Sequence, residues 1–247
     1  MEVNSINLSI RFLYLRKKSF TFFFRIAQKI PGIHFYEYVV WEGACYVVNP
    51  KAASSSLRKA FEKCAIETSG NIDKSFRDIT YFGSIKSIRR LSGIQFIFTI
   101  IRDPASRIVS CWEQKVNRRD PAGFRFLNQY FFFYYPFIRF GQSFSRFMSA
   151  ISWISDRFSE KHFMSQCKVV GYGDIPYSRL YTLENINEVS DDLATIVPYF
   201  SLDSLENVTG SSPTNLCDDT KRLIRARYRQ DFELYESLTG REIISES

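Results

Sequence analysis

Two short segments about fifty residues apart carry the side chains best suited to chemistry. The first is Tyr46-Val-Val-Asn-Pro-Lys51-Ala-Ala53-Ser54-Ser55-Ser56-Leu57: an apolar run, a turn of small residues with one lysine, then three hydroxyls at the start of a helical pattern. Small side chains let a backbone curl around an anion so that successive N–H groups point at it. A helix N-terminus adds partial positive charge, and Lys51 adds a mobile full charge. The second segment is Phe98-Thr-Ile-Ile-Arg102-Asp-Pro-Ala-Ser-Arg107-Ile-Val-Ser110. It offers two arginines and a serine, with Arg107 and Ser110 three positions apart on one helix face. An arginine fork beside a hydroxyl suits a terminal phosphate. The pair reads as two grips on one ligand with phosphate groups at both ends. Taken singly, each also fits a plainer reading: a strand–helix turn with a surface lysine, or an arginine paired with an acid. The nucleotide triphosphatase loop is excluded, because G-x-x-x-x-G-K-[ST] needs a Gly-Lys pair and the chain has none.

The elements that must position these residues are legible as hydrophobic patterns. Cys45 to Asn49 and Ile94 to Ile101 predict buried strands, the first closed by Pro50. Ser56 to Thr68 predicts a helix with Leu57, Ala60, Phe61 and Cys64 on one stripe. Asp103-Pro104 predicts a cap followed by proline at the first helical position. Residues 121–165 are aromatic and expected helical, with Phe144, Phe147, Met148, Ile151 and Ile154 at helical spacing. Further on, 167–172 and 179–183 read as short strands, and 187–197 and 218–238 as helices. Strands alternating with helices predict an α/β domain with a mostly parallel sheet, whose ligands sit at the carboxyl ends of the strands. Residues 1–35 read as a basic helical extension and 36–247 as one domain.

A chain of 247 residues suffices for one such domain. Its net charge of +7 favours an anionic partner without choosing among nucleotide, acidic glycan, nucleic acid and membrane surface. The five cysteines are odd in number and form no C-x-x-C unit, which argues against a zinc site and a disulfide framework. No stretch reaches the ~20 apolar residues of a membrane span, and the apolar N-terminus, broken by Arg11, Arg16, Lys17, Lys18 and Arg25, lacks a signal-peptide core. The expectation is a soluble cytoplasmic protein; for the basic N-terminal helix, docking on its own core competes with peripheral contact to a membrane. The composition carries no signal for oligomeric state.

The ordered pair P-K-x-x-[ST]-[ST]-[ST] and R-D-P-x-x-R-x-x-S resembles sulfotransferases that use 3′-phosphoadenosine-5′-phosphosulfate (PAPS), in the family 2 branch that includes carbohydrate sulfotransferases. Further matches are Lys161-His162-Phe163-Met164-Ser165-Gln166, with Ser165 where proline is common, Tyr181 to Ile186, and the closing Tyr228-Arg-Gln-Asp231-Phe232-Glu-Leu-Tyr235. The resemblance spans roughly residues 44–238. It implies a P-loop-NTPase-like three-layer fold, a mostly parallel central sheet flanked by helices. It implies that Lys51, Ala53, Ser54, Ser55 and Ser56 hold the 5′-phosphosulfate, that Arg102 and Ser110 hold the 3′-phosphate, and that Thr209 and Ser211 lie in a polar loop covering the nucleotide. PAPS is then the donor, adenosine 3′,5′-bisphosphate (PAP) the product, and no metal is needed. Sulfuryl transfer resembles phosphoryl transfer, with little covalent work for the protein, and Lys51 is the candidate to sit near the leaving oxygen.

For the base that takes the acceptor proton, the chain offers two histidines, and His162 matches a family position. Its alternative is a loop-anchoring role, with Glu113 or Asp73 as the base; His34 is given no part. The acceptor is expected to be a glycan hydroxyl, with a small-molecule hydroxyl or amine as the alternative. Ten of the seventeen residues Phe124 to Phe140 are Phe or Tyr, which suits either a core helix pair or an acceptor pocket. Two other classes compete: a small-molecule kinase, disfavoured by the missing Walker lysine, and a basic nucleic-acid or membrane binder, which leaves the two grips unexplained. The sulfotransferase reading implies no nucleic-acid partner.

Overall fold

The computed structural model describes residues 35–69, 79–117, 137–202 and 216–240. The expected N-terminal extension, His34 and Asp73, the aromatic residues up to 136, and Thr209 and Ser211 lie outside the described residues. Five strands form one sheet: β1 (Tyr36–Trp41), β2 (Ala44–Val47), β3 (Thr80–Gly83), β4 (Phe96–Ile101) and β5 (Arg179–Thr182), in the order β3-β1-β2-β4-β5.

The sheet is mixed, which corrects the mostly parallel expectation. Strands β2, β4 and β5 run parallel, whereas β1 pairs antiparallel with both β2 and β3. The cause is local. Glu42 and Gly43 have φ of 45° and 86°, the left-handed pair that makes a two-residue hairpin turn and folds β1 back onto β2 with Trp41 opposite Ala44. Only the parallel part carries both grips.

The apolar strands are buried on both faces. Along β2 and β4, Tyr46, Phe98 and Ile100 face one core with Leu57 and Phe61 of helix α1 (Ser54–Ser69), while Cys45, Val47 and Ile101 face another with Leu234 and Tyr235. Helices thus cover both sides of the sheet, the three-layer arrangement that continuous apolar strands require. Phe98 sits at the centre: Tyr46 stacks on it at 5.3 Å, Phe61 at 6.3 Å, and Tyr181 meets it edge-on at 5.8 Å. Truncating such a ring costs about 3–5 kcal/mol.

After α2 (Ile85–Arg89) and β4, helix α3 (Pro104–Trp112) begins as predicted, with the Asp103 carboxylate accepting from the Ser106 N–H at 2.7 Å. It runs into a π-helical turn, Glu113–Asn117. A third apolar cluster joins α3 to α4 (Phe144–Ser152) through Ile108, Cys111, Phe147 and Ile151. Two readings of the later chain change. Residues 167–172 are no strand: α5 (Gln166–Val169) occupies their start, and a turn follows at Gly171, φ 62°. The first-turn N–H groups of Gln166 and Cys167 are capped by the Asp231 carboxylate at 2.6 and 2.9 Å, a partner too distant in sequence for local periodicity to reveal. After α6 (Glu188–Leu193), the expected single helix 218–238 is two, α7 (Asp218–Arg227) and α8 (Arg229–Thr239). The break is at Tyr228, φ −116° and ψ 28°, whose buried hydroxyl donates to the Phe163 carbonyl at 2.6 Å. Cys45, Cys64, Cys111 and Cys167 are buried free thiols and Cys217 is an exposed one.

Candidate active site

The first grip is the loop from the end of β2 to the start of α1. Lys51 and Ala53 both adopt left-handed φ, 71° and 54°, in residues that carry a Cβ. That conformation costs about 1–2 kcal/mol per residue, and it aims the backbone around a concave turn. The Leu57 N–H donates to the Ala53 carbonyl at 3.1 Å, so Ala53 is the N-terminal cap residue. The N–H groups of Ser54, Ser55 and Ser56 then belong to the first turn, where no intrahelical acceptor exists. No acidic side chain stands in that turn to satisfy the helix dipole. Ser54 is half-buried, Ser55 exposed and Ser56 buried. These features suit a bound phosphate group.

The second grip meets the first at the neighbouring strand end. Arg102 is half-buried, and its Nη1 donates to the Lys51 carbonyl at 2.9 Å. A side-chain amide stitches the two strand ends together. Gln166 Oε1 accepts from the Arg102 N–H at 3.0 Å and from Asn49 Nδ2 at 2.8 Å, while Gln166 Nε2 donates to the Arg102 carbonyl at 2.8 Å. Asn49 Nδ2 also donates to the Ile100 carbonyl at 2.8 Å.

Arg107, which the sequence offered beside Ser110 as suited to a phosphate, is turned inward. It is 1% exposed and spends its donors on backbone carbonyls: Nε to Pro50 at 3.1 Å, Nη1 to Met164 at 2.8 Å and Nη2 to Lys161 at 3.0 Å. It therefore clamps the first grip to the segment that carries His162. Ser110, one turn on, is likewise 1% exposed, inside the same helix face.

Lys51 is half-buried, and its Nζ donates to Gln114 Oε1 on the π-helical turn. Burial pushes its ammonium down to about 8, with Lys115 and Arg107 adding repulsion and Glu160 pulling the other way. An arriving anion reverses that penalty, so the amine is primed for negative charge. His162 lies within electrostatic reach of Lys51. Its Nδ1 is 2.8 and 2.9 Å from the two Glu160 oxygens, and its backbone N–H donates to Glu160 Oε2 at 2.7 Å. Burial lowers the imidazole to about 4 against the pull of Glu160, so the ring is neutral at pH 7. Beside it, the Lys161 ammonium pairs with Glu37 of β1 at 2.7 Å, and Arg58 of α1 pairs with the same carboxylate.

Residues 9–236 match the sulfotransferase family. The chain belongs to sulfotransferase family 2. Comparison with curated proteins and with solved structures returned no match. In this family member, Lys51 and Ala53 lead into the helix N-terminus formed by Ser54, Ser55 and Ser56, Arg102 is bonded to the Lys51 carbonyl, Ser110 is buried in α3, and His162 on the 160–164 turn is within electrostatic reach of Lys51. Among the described residues, no group of three or more His, Cys, Asp or Glu is placed to hold a metal ion, and no helix is long and apolar enough to cross a membrane.

Three contributors escaped the sequence reading. Gln114 lies in a π-helical turn, which helical periodicity does not anticipate. Glu160 carries a signal only in hindsight, as an acid two residues before the family histidine. Asn49 is a buried amide closing an apolar run, and that polar intrusion was the available clue. Gln166 was marked as part of a motif, without the bridging role it takes.

Proposed function

We propose that the protein transfers a sulfuryl group from PAPS to an acceptor hydroxyl, most suitably a carbohydrate hydroxyl, leaving PAP. The observation that carries this reading is the join between the two grips. In a sulfotransferase family member, the Arg102–Lys51 contact and the Gln166 bridge hold a helix N-terminus and an arginine at adjacent strand ends. That suits a nucleotide charged at both its 5′ and 3′ ends.

The donor supplies an activated sulfuryl group. The first-turn N–H groups and the hydroxyls of Ser54, Ser55 and Ser56 would bind its 5′-phosphosulfate, and Arg102 with Ser110 its 3′-phosphate. Lys51 exchanges its bond to Gln114 for the leaving oxygen and neutralises the charge that gathers there. His162, neutral at pH 7, takes the acceptor proton as the oxygen attacks sulfur. The acceptor amine and the non-carbohydrate hydroxyl are the remaining substrate alternatives.

Thermal-shift titration with PAP, adenosine 5′-phosphate and ATP tests the donor. Stabilisation by PAP well beyond the other two is expected; equal shifts for all three would overturn the reading. A screen with labelled PAPS over sugars, small alcohols and amines then identifies the acceptor.

A further inference from the structure

Glu160 belongs to neither motif, yet its carboxylate holds His162 by both ring and backbone. It receives the His162 ring at Nδ1 through both oxygens and the His162 backbone N–H through one of them. Its own carbonyl accepts the Phe163 and Met164 N–H groups at 3.0 and 2.9 Å, so the turn that carries His162 is built on this residue. Burial raises the carboxyl's pKa, but the His162 ring and backbone hydrogen bonds and the Lys161 charge help bring it below the usual value, so it stays ionised. An ionised carboxylate only accepts hydrogen bonds. Nδ1 must therefore carry the imidazole proton, and in a neutral ring the accepting nitrogen is then Nε2.

We propose that Glu160 is a positioning residue for sulfuryl transfer, locking His162 in the Nδ1–H tautomer so that Nε2 takes the acceptor proton. The inference rests on the sulfotransferase reading of the site. Its chemistry balances without a further reagent. The acceptor O–H bond breaks, its proton goes to Nε2, its electron pair forms the new S–O bond, and the old S–O pair departs on the phosphate of PAP. His162 becomes an imidazolium whose second N–H points at a carboxylate. That charge would otherwise arise beside two cations, Lys51 of the loop and Lys161 of the same turn. Among the described residues, the pair also interacts electrostatically with Glu37 of β1, which acts on His162, and with the Cys111 thiol of α3, which acts on Glu160. Glu160 is the anion in direct contact with the ring.

The chain has two histidines, so His34→Gln leaves His162 as the sole imidazole. In that background, nitrogen NMR of histidine-labelled protein should show Nδ1 protonated and Nε2 unprotonated at pH 7. Glu160→Gln, which can still accept the turn's backbone N–H, should mix or reverse the tautomers, because its amide also donates. Turnover at saturating acceptor should fall at least ~10²-fold, with PAP affinity unchanged. The acid limb of the turnover profile should move to lower pH, since loss of the anion disfavours imidazolium. A wild-type ring protonated on Nε2 overturns the proposal, as does a Glu160→Gln enzyme with unaltered tautomer, turnover and pH limb. The spectroscopic arm needs no substrate, so failure of the donor titration with the expected tautomer would discard the sulfotransfer reading while supporting the pairing.

Discussion

Arg102 Nη1 and the Lys51 carbonyl lie 2.9 Å apart, so the cation of one grip holds the backbone of the other. A nucleotide filling both would be read by a single connected unit.

Replacing Arg102 with alanine should abolish the preference for PAP over adenosine 5′-phosphate in calorimetric titration. Loss of a fork-type contact to phosphate is worth on the order of 1.5–3 kcal/mol, or roughly 10–150-fold in affinity. Arg102→Lys should recover little of it, because an ammonium cannot serve the Lys51 carbonyl and a phosphate in one plane. Retained discrimination in Arg102→Ala would remove Arg102 from the 3′ subsite.

Lys51→Met should lower turnover by about 10²-fold or more, measured with saturating PAPS. It should also raise Tm at neutral pH. Burial lowers the folded-state pKa to about 8, below that of a lysine in the unfolded chain, so the charged amine destabilises the native state below pH 8. That penalty fades as pH climbs from about 8 towards the unfolded value near 10.4. Melting curves across this window should therefore show the methionine variant's advantage shrinking with pH. A constant advantage would assign the effect to packing alone.

Arg107 and Arg102 should separate cleanly in stability. Arg107→Met strips three carbonyls, two of them in buried contacts, of a charged donor, a loss of about 3 kcal/mol or more, corresponding to a Tm drop on the order of 10 °C. Arg102→Ala should cost far less, since Arg102 is only half-buried and holds a single carbonyl among the described residues. Equal melting temperatures for the two variants would refute the clamp.

Gln166→Glu keeps the shape of the bridge and, once ionised, removes its donor to the Arg102 carbonyl. A glutamate buried there takes a raised pKa. The variant should thus be most stable at low pH, where the carboxyl is protonated and can still donate, and should lose stability as pH rises through the folded-state value. Urea melts at pH 5 and pH 8 measure this; parallel losses at both would argue against a buried bridge.

The parallel half of the fold and the first grip were legible because local chemistry determined them. An apolar run stopped by Asn49-Pro50 and a helix opened by Asp103-Pro104 each follow from a few neighbouring residues. The hairpin was missed because its turn is Glu42-Gly43 rather than Asn-Gly or Asp-Gly. The helix at Gln166 and the break at Tyr228 were missed for another reason. Both depend on partners some 65 positions away, Asp231 and Phe163. The same limit applied within the site. Arg107 and Arg102 look alike in sequence, and only the carbonyls of Pro50, Lys161 and Met164 distinguish the buried clamp from the half-buried arginine at the strand end.

The clamp has a consequence for variation. Arg107 recognises main-chain oxygens, which every amino acid provides, so it places no demand on which side chains stand at the three positions it holds. Saturation mutagenesis should find position 107 intolerant and Met164 permissive to other apolar residues of similar volume. The turn bearing His162 can thus change its side chains while remaining anchored to the Pro50 carbonyl of the Lys51 loop.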